Sequence, residues 1–154
     1  MKNKITKFIL SAFICLGLQA CLFQEDDLFE KSSANRASEN VAELQELLVN
    51  VPNGWKMEYY PGTDYSMGGI TLLCRFDGNN VTLMSEVGSV KTASGKEASS
   101  LYKVTSEEST VLTFDSFNEF IHCFSEPIMG MNTNLEGDYE FVYMGQEDNK
   151  VILH

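Results

Sequence analysis

Histidine, tryptophan and proline are scarce in this 154-residue chain, at two, one and three. His122 and His154 are a poor inventory for zinc, whose structural sites take four nitrogen or sulfur ligands. There is no His-Glu-x-x-His, no Gly-x-Ser-x-Gly and no Cys-x-x-Cys. Gly88 to Lys96 has the wrong spacing for a phosphate loop, and no Ser or Thr follows Lys96. The expectation is a chain with no catalytic residues, no metal and no cofactor. Positive charge is short as well, with 11 Lys+Arg against 22 Asp+Glu and a net charge of −11. That balance argues against nucleic acid and against anionic membrane surfaces. It favours neutral ligands, cationic ligands or divalent cations, although solubility alone is the plainer use of it. No apolar run reaches the roughly 20 residues that a spanning helix needs.

What is present begins with a short targeting segment. Lys2, Lys4 and Lys7 precede an apolar stretch, Phe8 to Leu18. This is the layout of a signal peptide over residues 1–20. Leu18-Gln19-Ala20-Cys21 resembles the lipobox of bacterial lipoproteins. A small residue before the cysteine suits the peptidase, and the Cys21 thiol takes the diacylglycerol. Cys15 is a worse candidate, because bulky Ile14 precedes it inside the apolar run. Two or more acyl chains anchor stably where one does not, at about 0.8 kcal/mol per buried methylene. Residues 21–31 read as a lipidated acidic tether. Its Gln24-Glu25-Asp26-Asp27 resembles the surface-export signal of Bacteroidota lipoproteins, which implies the outer membrane with the protein facing the cell exterior.

Residues 32–154 read as one domain, α+β but mainly β. Ala34, Ala37, Val41, Leu44 and Leu48 recur at spacings of three and four, with Leu47 beside them, and predict an amphipathic helix over 32–50. Pro52 and Gly54 stop it. The period then falls to two. Strands are expected over 55–60, 69–76, 81–86, 101–105, 110–115, 139–144 and 150–153. Ile70, Leu72, Cys74 and Phe76 should share one face, and Asp77-Gly78-Asn79-Asn80 is a hairpin turn. Residues 87–99 read as a mobile loop. Phe117, Phe120, Ile121 and Phe124 predict a short helix capped by Asp115 or Ser116. The whole is an antiparallel meander of about seven strands, with the open barrel of lipocalin-like domains as a fold-level analogy. The chain stops inside an apolar strand at His154, so the domain is expected to be a fragment, incomplete at its C-terminus.

Several residues are candidates for chemistry. Cys74 and Cys123 form a disulfide or stay two separate thiols. The bond would close a loop of about 50 residues and contribute roughly 4 kcal/mol in the chain-entropy model. His122 and Cys123 are adjacent, and neighbours on a helix point about 100° apart, a poor geometry for a nucleophile and its base. Asp77, Asn79, Glu147 and Asp148 suit turns better than a calcium ladder. Trp55, Tyr59, Tyr60 and Tyr65 cluster in sequence. Tyr60 and Tyr65, flanking Pro61-Gly62, would line a glycan site if both faced outward. Strand packing is the competing use of them.

Longer stretches carry a family resemblance. Asp27 to Ser32, then Pro52-Asn53-Gly54-Trp55-Lys56-Met57-Glu58-Tyr59-Tyr60-Pro61, resemble the start of a Bacteroidota lipoprotein family, domain of unknown function forty-three-oh-two. Gly69 to Val81, Leu112 to Asp115, Phe124 to Pro127 and Gly137 to Val142 are similar to it too. The resemblance implies an N-terminal portion of longer proteins, encoded beside outer-membrane nutrient-uptake systems and zinc-dependent peptidases. It brings no catalytic motif. The functional expectation is a surface lipoprotein that binds glycan or peptide, or serves as an accessory in its uptake. The alternatives are the front part of a hydrolase-associated protein or a structural partner of an outer-membrane transporter.

Overall fold

The computed structural model describes residues 32–65, 67–106, 108–127 and 135–154. The signal segment, Cys21 and the tether lie outside the described residues. Among the described residues no helix is long and apolar enough to cross a membrane.

Helix α1 spans Ser33–Val49, close to its expected limits. Leu44 and Leu48 are buried and Val41 packs beside them, so the predicted stripe faces the core. Burying each leucine contributes about 2 kcal/mol. Pro52 cannot extend the helix. The Trp55 indole Nε1–H donates to the Leu48 carbonyl at 3.0 Å, which satisfies one of the acceptors a helix end leaves bare.

Eight strands follow: β1 Trp55–Tyr59, β2 Ile70–Asp77, β3 Asn80–Ser85, β4 Glu97–Leu101, β5 Lys103–Ser106, β6 Thr110–Thr113, β7 Glu140–Glu147 and β8 Lys150–Leu153. They form two four-stranded antiparallel sheets in sequence order, β1-β2-β3-β4 and β5-β6-β7-β8. Only Tyr102 separates β4 from β5, so one length of chain passes from the first sheet to the second. Tyr102 N–H donates to Asn79 O and its ring meets Phe76 edge-on at 4.8 Å. The predicted alternation on β2 holds: Ile70, Leu72, Cys74 and Phe76 are all buried. Asp77 pairs with Asn80 across the two-residue turn. Helix α1 lies against β2 of the first sheet and against β5 and β6 of the second.

Three expectations need correction. In place of one open lipocalin-like barrel the strands form two separate sheets, with β1 and β8 as edge strands of different sheets that are not paired with each other. The loop expected over 87–99 ends early, since Glu97–Leu101 is a strand paired with β3. Its Ser and Ala composition hid a strand held by Thr82–Ser99 hydroxyl bonding and by buried Ser100. The helix expected over 117–124 is a single 3-10 turn, His122–Phe124. Phe120, Ile121 and Phe124 of the expected stripe are buried, but Phe117 is exposed. Asn118, however, turns its side chain to backbone groups and competes with helix formation there.

Candidate functional site

Strand β1 ends at Tyr59, and the two consecutive tyrosines part there. Alternation sends Tyr59 inward, where its hydroxyl donates to Asp138 O at 3.0 Å. Burial, with the charge of Asp138 adding to it, pushes that phenol well above its ordinary value. Tyr60 therefore points outward and is 51% exposed. Tyr65 is 68% exposed, and its ring meets Tyr60 edge-to-face, with centroids 6.2 Å apart at 76°. The two predicted residues are thus brought together on the surface.

Local backbone makes this arrangement. Tyr65 holds φ +56, a left-handed conformation that is an outlier for a bulky residue and costs roughly 1–2 kcal/mol. Gly68 N–H donates to Tyr65 O at 2.9 Å and closes the turn. Gly69 lies under Tyr60, where a Cβ would come within 2.7 Å of the ring. The loop is fastened to a distant segment by Gly62 N–H to Glu136 O at 3.2 Å and by Thr63 Oγ1 to Glu136 Oε2 at 3.3 Å. Met67, two residues after Tyr65, is exposed as well. The result is two wet aromatic rings on a loop that also carries a hydroxyl bonded to a carboxylate, and ligand sites combine apolar faces with a few polar groups.

Trp55 and Tyr59 are not part of this surface, since both pack toward the core. Cys74 and Cys123 are free thiols, Cys74 on β2 and Cys123 in the 3-10 turn. Burial raises Cys74 to about 12 and Cys123 to about 11, so both stay protonated near neutral pH and neither is an activated nucleophile. His122 Nδ1 already accepts from Asn118 N–H at 3.1 Å, and burial lowers its pKa. Asp77 and Asn79 sit in one hairpin turn, Glu147 and Asp148 in another. Among the described residues no three His, Cys, Asp or Glu converge on a point that could hold a metal.

Sequence reading missed a second aromatic group. His122 stacks on Tyr139 at 4.5 Å and 21°, Phe117 lies 5.5 Å from the imidazole, and Lys91 Nζ is 5.8 Å from the Phe117 ring centre. These residues come from three segments far apart in the chain, so no local pattern joins them. Their rings cover one another, which leaves less free face than Tyr60 and Tyr65 offer.

The family model described as Domain of unknown function (DUF4302) matches residues 25–154. Neither among curated proteins nor among solved structures does the chain find a match.

Proposed function

The chain belongs to the DUF4302 family, and on that footing we propose that it is a lipid-anchored, non-catalytic binding module on the outer face of the outer membrane, engaging glycan for uptake. The outward Tyr60–Tyr65 pair carries this reading. A sugar ring presents a patch of C–H groups to an aromatic face and its hydroxyls to polar neighbours. Thr63, in the loop between the two tyrosines, and its partner Glu136 supply polar groups for such hydroxyls. The strained Tyr65 backbone supports it, since strain of this kind collects at ligand clamps. Membrane attachment rests on Leu18-Gln19-Ala20-Cys21 and display on the acidic run behind it.

Affinity electrophoresis through gels cast with soluble polysaccharides tests the binding. The mature domain should be retarded by at least one glycan, and Tyr60→Ala or Tyr65→Ala should each weaken retardation about fivefold, as loss of roughly 1 kcal/mol of ring contact would. Unchanged migration of both variants would rule this site out. Co-purification of a transporter without any glycan retention would favour a structural partner instead. Cys21→Ser should move the protein from the membrane pellet to the soluble fraction after cell breakage. Retention of that variant in the pellet would refute lipid anchoring at Cys21.

A further inference from the structure

A second recess lies away from the tyrosine pair, between helix α1 and the β7–β8 hairpin. It is an open, shallow recess of about 530 Å³, a volume within the range of small-molecule sites. Asn40 and Glu43 line it from one face of the helix, three residues apart. Tyr143, Met144, Gln146 and Asp148 line it from the hairpin. The hairpin side is shaped by a β-bulge. Tyr143 pairs with Leu153 and Gly145 with Ile152, which leaves Met144 as the extra residue. Bulges re-aim side chains, and Met144 stands 64% exposed at the rim. Tyr143 packs on the core. Burial and then the charge of Glu43, which lines the same recess, raise its phenol pKa. Gln146 is held by its own bond, Nε2–H to Asp148 O at 3.0 Å.

The charges decide what such a recess takes. Glu43 enters from the helix and Asp148 from the turn, and no Lys, Arg or His lines the space. An anion would meet two carboxylates in a protein of net charge −11. A cation would gain both, together with the electron-rich face of Tyr143. We propose that the α1/β7–β8 recess binds an ammonium-bearing side chain, that of a lysine residue in a peptide, with Glu43 and Asp148 as its counter-charges and Tyr143 as the surface for its aliphatic stem. This site is independent of the glycan reading.

The test is titration of the mature domain with N-acetyl-lysine N-methylamide at physiological salt, followed by amide NMR. Saturable shifts are expected for Asn40, Glu43 and residues 143–148. The Nε-acetylated, neutral form of the same compound should bind at least tenfold more weakly. Glu43→Gln and Asp148→Asn should each weaken binding about fivefold, an exposed charge contact contributing roughly 1 kcal/mol. Glu97→Gln, on β4 of the other sheet, should leave binding unchanged, as should Tyr60→Ala. Amide dispersion in the same spectra confirms that each variant is folded. No saturable shift, equal binding of the neutral compound or of glucose, or equal weakening by Glu97→Gln would overturn the proposal.

Discussion

Asn118→Ala is expected to destabilise the domain by about 3–5 kcal/mol. The Asn118 side chain is 1% exposed and uses both ends. Its Oδ1 accepts from Phe120 N–H at 3.1 Å, while Nδ2–H donates to Ala98 O at 3.0 Å and to Ser100 Oγ at 3.1 Å. One residue thereby ties strand β4 to the segment that carries buried Phe120 and Ile121. Alanine would leave an N–H, a carbonyl and a hydroxyl without this partner in a dry region. Each stranded group costs roughly 1–3 kcal/mol, and the void adds to that. For a domain of this size the thermal midpoint should fall by roughly 10–15 °C. A fall below about 3 °C would mean that water or local rearrangement replaces the amide.

Gly54→Ala is expected to cost about 3 kcal/mol, for backbone reasons. Gly54 holds φ +71 at the exit of the helix, where its N–H donates to Val51 O at 2.9 Å. A Cβ there would meet Cys74 O at 2.6 Å. That atom belongs to the backbone of β2, which cannot step aside without disturbing the Trp55–Cys74 pairing. The left-handed conformation costs an L-residue roughly 1–2 kcal/mol, and forcing the contact adds about 1–3 more. The urea midpoint should drop with little change in slope. An unchanged midpoint would show that the helix-to-strand turn has slack. Pro52-Asn53-Gly54-Trp55 thus has a physical reason: proline stops the helix, glycine makes the turn, and the indole satisfies one of the helix's last carbonyls.

Much of this fold is legible in the sequence because its contacts are sequential. Each strand pairs with its neighbour in the chain, so period-two runs separated by turns specify most of the topology. Helix α1, the buried face of β2 and both outer hairpins follow from such local patterns. Strand β4 does not, because Glu97-Ala98-Ser99-Ser100 carries no apolar alternation and depends on β3 and Asn118 for its place. The segment 117–124 has helical spacing, but the Asn118 amide overrides it. Sheet closure is equally invisible to local patterns, since it depends on where two strands distant in sequence end up. The Tyr60–Tyr65 pair was readable from alternation and the Pro61-Gly62 break, whereas its geometry depends on Gly69 and on the left-handed backbone of Tyr65. The recess beside Tyr143 was not readable, because α1 and the β7–β8 turn are about a hundred residues apart and only folding brings Glu43 and Asp148 to one space.

The central claim is that the tyrosine pair takes sugar. Tyrosine-ring NMR during titration of the mature domain with a retained glycan tests it most directly. The ring signals of exposed Tyr60 and Tyr65 should shift in proportion to occupancy, while those of buried Tyr59 and Tyr102 stay in place. Shifts confined to other residues, with Tyr60 and Tyr65 unmoved at saturation, would contradict the account.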